Sequence, residues 1–241
     1  MKILPISVVI PMKNEASLLP DCLESLLQQT VLPTEVIVVD NGSTDSSLDV
    51  ARSYVKKFKE RNVSFHILQE MNSGTGLARQ KGCSCAQSSI IAMTDADSQP
   101  TSTWIERISE HFSTSSDIAV TGRLILFDAP TLVLWMNHMH LFEFWEKIKN
   151  HMFGFTSLQG FNCAVRSSAL KKAEGFRNTL FLGINLEDFE LASRLSQFGT
   201  IGFDSSIIVH TSARSYATLL SALHTTFKRW KTIFYILRKR I

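Results

Sequence analysis

Two hydrophobic rhythms alternate along the first hundred residues of this chain. Short, nearly unbroken apolar runs occur at Ile6–Pro11 (I-S-V-V-I-P), Glu35–Asp40 (E-V-I-V-V-D), Ser64–Gln69 and Ile90–Asp95. Runs of this length, rich in Val and Ile, predict strands covered on both faces. Between the first two, Leu18, Leu19, Cys22, Leu23, Leu26 and Leu27 recur at steps of three and four, which predicts a helix over Ala16–Gln29. A helix through Tyr54 and Phe58 follows the turn Asn41-Gly42-Ser43-Thr44-Asp45, with Asp45 as its cap, and Thr75–Ala86 forms the next. Strict alternation of strand and helix implies βαβ units and a mostly parallel sheet with helices on both faces.

Beyond Pro100 the rhythm changes. The pattern predicts a helix over Thr103–Phe112, a strand over Ile118–Leu126 and an apolar helical stretch over Thr131–Met152 containing Trp135, Phe142, Phe144 and Trp145. A strand at Phe161–Arg166, a helix at Glu187–Phe198 and a last strand at Ile207–His210 follow. No low-complexity linker or internal repeat interrupts the chain, so residues 1–214 read as one α/β domain with two halves, 1–100 and 101–214. In Ser215–Ile241, Leu220, Leu223, Phe227, Trp230, Phe234 and Leu237 repeat at helical steps with cations on the flanks. That is an amphipathic helix suited to a membrane interface or to packing on the domain.

Charge sharpens this division. The net charge is +3 over 241 residues, but Ser215–Ile241 alone carries +6, leaving the body at −3. A mildly acidic globule with a basic tail argues against a nucleic-acid binder and for a local anionic partner such as a membrane surface. The apolar fraction of 44% supports a large core, yet no run reaches the ~18 residues a bilayer span requires, and Met1–Pro5 does not form a leader. Four cysteines suit free thiols in the cytoplasm, and Cys83-Ser-Cys85 has no second pair to complete a zinc site.

The chemistry concentrates where strands end. Ile90–Pro100 (I-I-A-M-T-D-A-D-S-Q-P) delivers Asp95 and Asp97 to the carboxyl end of a buried strand, where open α/β sheets bind ligands. Two carboxylates one residue apart repel unless a cation lies between them, and a divalent metal holding a diphosphate satisfies both. Gly74-Thr75-Gly76-Leu77-Ala78-Arg79 starts like a dinucleotide fingerprint, but Arg79 occupies the third glycine position, which weighs against a dehydrogenase.

Three ordered segments, Ser7-Val8-Val9-Ile10-Pro11-Met12-Lys13-Asn14-Glu15, Val38-Val39-Asp40-Asn41-Gly42-Ser43-Thr44-Asp45 and Asp95-Ala96-Asp97, resemble the family 2 glycosyltransferases of the GT-A fold. The resemblance runs from about Ile6 to His210. It implies a Rossmann-like nucleotide-binding half, 1–100, and an acceptor half, 101–214. By that likeness Pro11, Glu15 and Asp40 meet the base and ribose, and Arg79 or Lys81, in Ala78-Arg79-Gln80-Lys81-Gly82, reaches the diphosphate. Asp97 ligates Mn2+ or Mg2+ with Asp95 beside it, and His210 joins the metal or the diphosphate. The segment with Gly160 and Asn162, and then Gly175-Phe176, lines the donor sugar and acceptor. In Leu186-Glu187-Asp188, Asp188 is the base that takes the acceptor hydroxyl's proton, with Glu187 as the fallback.

The implied activity is inverting transfer from a UDP- or GDP-sugar to an acceptor hydroxyl, lipid-linked, polysaccharide or small. The site is expected at the cytoplasmic face of a membrane, without nucleic acid. A nucleotidyltransferase and an inactive membrane-associated nucleotide-sugar-binding module are the rival readings.

Overall fold

The computed structural model describes residues 3–128, 148, 150–177, 180, 181 and 184–212. The expected helix over Ser215–Ile241 and nearly all of the Thr131–Met152 stretch lie outside them. One eight-stranded sheet organises the chain, in the order β3-β2-β1-β4-β7-β6-β10-β5. Its strands are β1 (Ile6–Met12), β2 (Glu35–Asp40), β3 (Ser64–Gln69), β4 (Ile90–Met93), β5 (Ser98–Pro100), β6 (Ala119–Leu126), β7 (Cys163–Arg166) and β10 (Ile201–Thr211). A two-stranded ribbon pairs β8 (Leu180–Phe181) with β9 (Ile184–Asn185).

The four N-terminal strands are mutually parallel, as the alternating pattern required. Helix α1 (Leu19–Leu27) and the pair α2 (Ser47–Ser53) and α3 (Val55–Glu60) form the outward crossovers. Helix α4 (Thr75–Cys85) returns the chain to the other side of β1. The single helix expected through Tyr54 and Phe58 is thus two, joined at Tyr54. The uninterrupted apolar strands have a direct cause. Val8, Ile10, Val36 and Val38 face one core with Leu19, Leu23 and Leu26 of α1, while Val9, Ile37 and Val39 face another with Ala78 and Cys83 of α4. Ranges of this kind, buried on both sides, leave no polar face to the strand.

The second half is mixed. β7 runs antiparallel to both β4 and β6, and β10 runs parallel to β6. β10 is longer than the expected Ile207–His210 and changes register between Asp204 and Ile208, where polar Ser205 and Ser206 interrupt the apolar pattern. β5 lies in what the sequence presents as a turn. Only its pairing with the last strand makes it a strand, and as an edge it tolerates Pro100. The remaining helices are α5 (Trp104–Thr114), α6 (Ser167–Lys172), which the apolar pattern did not announce, and α7 (Glu187–Leu195).

Candidate active site

The strand order reverses between β1 and β4, because the crossovers first step outward to β3 and then return past β1. Loops at the carboxyl ends of strands diverge at such a switch point and leave a crevice. A cleft of about 270 Å³ lies there, lined by Pro11, Met12, Lys13, Glu15, Asn41, Thr75, Asp95, Ala96 and Asp97.

Its rims are held by side-chain to backbone hydrogen bonds. Asn14, at φ 57°, accepts from the Thr44 N–H through its Oδ1 (2.8 Å), and its own N–H donates to Ser43 Oγ (3.0 Å). The Glu15 N–H donates to Ser47 Oγ (2.7 Å) and the Ala16 N–H to Asp45 Oδ2 (3.1 Å). The loop after β1 is therefore laced to the loop after β2. Asn41 secures the third wall: its amide donates to Glu70 O and Asn72 O, and its Oδ1 accepts from the Gly74 N–H (2.8 Å). The Asp95-Ala96-Asp97 turn is held from below. The Cys22 thiol and the Ser98 N–H both donate to Asp95 O, and the Ser212 N–H donates to Asp97 O.

Beneath the cleft lies a buried charge cluster. Arg79 Nη2 donates to Asp95 Oδ1 (2.6 Å) and Nη1 donates to Glu187 Oε1 (2.5 Å), with the Arg79 side chain 5% exposed, Glu187 6% and Asp95 32%. Burial opposes the arginine's charge, but Asp95 and Glu187 outweigh it and hold its pKa above the ordinary value. Burial raises the pKa of Asp95 despite Arg79, and Asp97 and Asp188 add to the rise. Glu187 is raised by the same desolvation. Asp188, half-buried at the start of α7, accepts from the Gly160 N–H (3.2 Å) at Oδ2 and from the Phe189 N–H at Oδ1.

The residues named from sequence therefore divide. Pro11, Glu15, Asp95 and Asp97 line the cleft. Asp40 ends β2 beside Asn41, 3% exposed, and its Oδ1 accepts from the Ser43 N–H (3.0 Å), so it closes its own turn; Asp45 accepts from the Ser47 N–H at the start of α2, but the N-cap position itself is Ser46. Glu187 is joined to Asp95 through Arg79, and Asp188 follows Glu187 at the start of α7. Gly160 packs directly on that guanidinium, where a Cβ would come within 2.6 Å of Arg79 Cζ.

Several of the residues named from sequence have other partners in the structure. Arg79 neither reaches toward a diphosphate nor sits on the surface, because the buried Glu187 and the half-buried Asp95 occupy it. Lys81 donates to Gln69 O and lies 3.8 Å from Glu70, securing the end of β3. Asn162 does not line a sugar pocket: it is fully buried, accepts from Trp104 Nε1 (2.9 Å), and donates to Arg123 O and Ile207 O. Gly175, at φ 67°, ends α6 with its N–H on Leu170 O, and Phe176 is buried behind it. His210 pairs in the sheet with Gln99 of β5 and Ile125 of β6. Among the described residues, no three His, Cys, Asp or Glu side chains gather closely enough to hold a metal, so Asp95, Asp97 and His210 do not form a ready-made ligand set.

Lys13, Asn41 and Thr75 were not singled out as site residues, although they line the cleft. Among the described residues, Lys13 is the only Lys or Arg that lines the cleft, and its place one residue past the end of β1 was the available signal.

Comparison with known proteins agrees with this architecture. The family model of glycosyl transferase family 2 matches residues 7–174. The chain is 30% identical over 105 residues to the uncharacterized glycosyltransferase EpsJ of Bacillus subtilis, covering 44% of this chain and 29% of that protein. It is 40% identical over 95 residues to a poly(ribitol-phosphate) beta-glucosyltransferase of Bacillus spizizenii, covering 38% and 14%. Among solved structures, the mannosyltransferase PcManGT of Pyrobaculum calidifontis, in complex with GDP-Man and Mn2+, aligns with a TM-score of 0.67 at 17% identity, over 90% of this chain and 59% of that one. S. aureus TarS 1–349 with UDP-GlcNAc aligns with a TM-score of 0.67 at 17% identity, over 87% and 59%. The chain thus spans well under half the length of the curated relatives it matches. Among the described residues, no helix is long and apolar enough to cross a membrane.

Proposed function

The chain belongs to glycosyl transferase family 2, and from that premise we propose that it moves a sugar from a nucleotide diphosphate-sugar in the β1/β4 cleft to an acceptor hydroxyl. The observation that carries this reading is the link Asp95–Arg79–Glu187, which ties the start of α7 to the acids of the cleft. Asp188 is then the general base. Glu187 is set aside for that task by its burial and its ion pair, whereas Asp188 is half-buried and, among the described residues, makes no ion pair. A carboxylate in that position takes the hydroxyl proton as the oxygen attacks the anomeric carbon from the side opposite the departing diphosphate, which inverts that centre.

Pro11 and Glu15 form the wall for the base and ribose, and Lys13 meets the phosphates. Asp95 and Asp97 are the residues that would hold Mn2+ or Mg2+. Hard carboxylate oxygens suit such ions, which use one or two of them and complete their shell with phosphate oxygens and water, so a two-acid site at a phosphate cleft fits. When bound, the cation supplies charge neutralisation to the departing diphosphate. The donor class is a UDP- or GDP-sugar, since the similar structures are of TarS in complex with UDP-GlcNAc and of PcManGT in complex with GDP-Man. A lipid-linked or polysaccharide acceptor on the cytoplasmic face of a membrane fits the basic stretch Ser215–Ile241.

The test is a thermal-shift panel of UDP, GDP and their sugars with and without Mn2+, followed by release of the nucleoside diphosphate from the donor that raises the melting point. Asp188→Asn should retain the shift and lose turnover by a factor of about 100 or more. Normal turnover in that variant removes Asp188 from the role of base, and a flat panel removes the nucleotide-sugar reading.

A further inference from the structure

We infer that Arg79 is a positioning residue, a clasp that fixes the base at the start of α7 relative to the acids at the tip of β4. The inference rests on the transfer reading above. Arg79 holds the start of α7 by two routes. Its Nη1 binds Glu187 directly, and its guanidinium is the surface on which Gly160 rests, while the Gly160 N–H holds Asp188 Oδ2. Its Nη2 binds Asp95, so one planar group sets the spacing of three carboxylates from two separate elements.

The geometry favours this role over substrate contact. The guanidinium is 5% exposed, does not line the cleft, and has both terminal nitrogens engaged by acids. The chemistry favours arginine in particular. Its fork presents two donors in a fixed plane, whereas a lysine ammonium is a point charge that satisfies one acid and abandons the other. Gly76, three residues before Arg79 on α4, also packs against Glu187, where a Cβ would lie 3.1 Å from Glu187 Cβ, so one helix holds Glu187 at two points. Buried ion pairs are weak sources of stability, and in this site their role is geometric. Their expected signature is a loss of turnover at unchanged nucleotide affinity.

The experiment uses Arg79→Lys, Glu187→Gln and the double variant. Calorimetry reads the affinity for UDP and GDP with Mn2+, and release of UDP from UDP-GlcNAc or of GDP from GDP-mannose reads turnover. Glu187→Gln should keep nucleotide affinity within about threefold and lose about 100-fold in kcat, because a displaced base costs the chemical step rather than binding. The double variant should be no slower than Arg79→Lys, since both substitutions open one clasp. Fully additive losses, or lost affinity with kcat intact, would overturn the inference.

Amide hydrogen exchange gives a readout that does not require turnover. Opening the clasp in Arg79→Lys or Glu187→Gln should speed exchange at Gly160 and Phe189 by about tenfold while leaving Val8–Ile10 of β1 protected. Unchanged exchange at Gly160 and Phe189 refutes the clasp. A parent protein that binds neither nucleotide refutes the transfer reading instead, and the exchange result still decides the clasp.

Discussion

Gly160→Ala is the substitution whose cost the geometry fixes most tightly. Gly160 does not have a positive φ, so alanine is compatible with its backbone and the penalty is steric. The added Cβ would stand 2.6 Å from Arg79 Cζ and 2.7 Å from each terminal nitrogen. Ordinary contact needs about 3.5 Å, so one partner must retreat by about 0.9 Å. Arg79 cannot do so cheaply. A retreat of about 0.9 Å along either bond would stretch its 2.5 Å contact with Glu187 or its 2.6 Å contact with Asp95 beyond the ~3.2 Å limit of a good hydrogen bond.

Overpacking costs about 1–3 kcal/mol, and a broken buried ion pair costs more, so a destabilisation of roughly 2–4 kcal/mol is expected. In a chain of this size that lowers the melting temperature by roughly 4–16 °C. Urea unfolding with calorimetry measures it. Gly42→Ala is the control, because Gly42 has φ 78° with no atom within 4 Å of its added Cβ, leaving only a backbone penalty of about 1 kcal/mol. A Gly160→Ala protein as stable as the parent, or no worse than Gly42→Ala, would show that glycine is not required by the buried arginine.

Lys13→Ala should weaken UDP or GDP binding by about tenfold with stability nearly unchanged, as loss of one charge-assisted contact predicts; calorimetric titration checks it, and unaltered affinity removes Lys13 from the phosphate site. Far from the cleft, His111 Nε2 lies 2.9 Å from Asp117 Oδ2 and Nδ1 lies 3.3 Å from Asp204 Oδ2. Burial pushes both aspartates up, but hydroxyls of Thr200 and Ser206 together with His111 outweigh it, so both folded pKa values fall below the ordinary range. Their stabilisation is present above the unfolded value of about 3.9 and is lost as pH falls through the lower folded values. Asp117→Asn/Asp204→Asn should therefore flatten the acid limb of urea midpoint against pH below about pH 4, and parallel curves for variant and parent would contradict this. Burial pushes the Cys83 thiol up to about 12 and raises Cys22 and Cys163 as well, while Cys85 is exposed. A native thiol titration should label Cys85 alone, and rapid labelling at Cys22 would contradict the packing around the Asp95 carbonyl.

The sequence alone determined what local pattern can encode. Unbroken Val and Ile runs reported strands buried on both faces, Leu spacing reported α1, and acids after β4 pointed to the carboxyl edge, where a cleft opens that they line. Those signals depend on short-range periodicity, which a chain carries in its own order. Tertiary structure decided the rest, because it depends on which residues meet across long separations. Arg79 and Glu187 lie 108 positions apart, and nothing near either one announces that a buried guanidinium joins them. For the same reason Asn162 resembles a pocket residue in sequence and proves to be a knot between β6, β10 and α5. A polar side chain's role is set by the partners that replace its water, and only the folded chain supplies them.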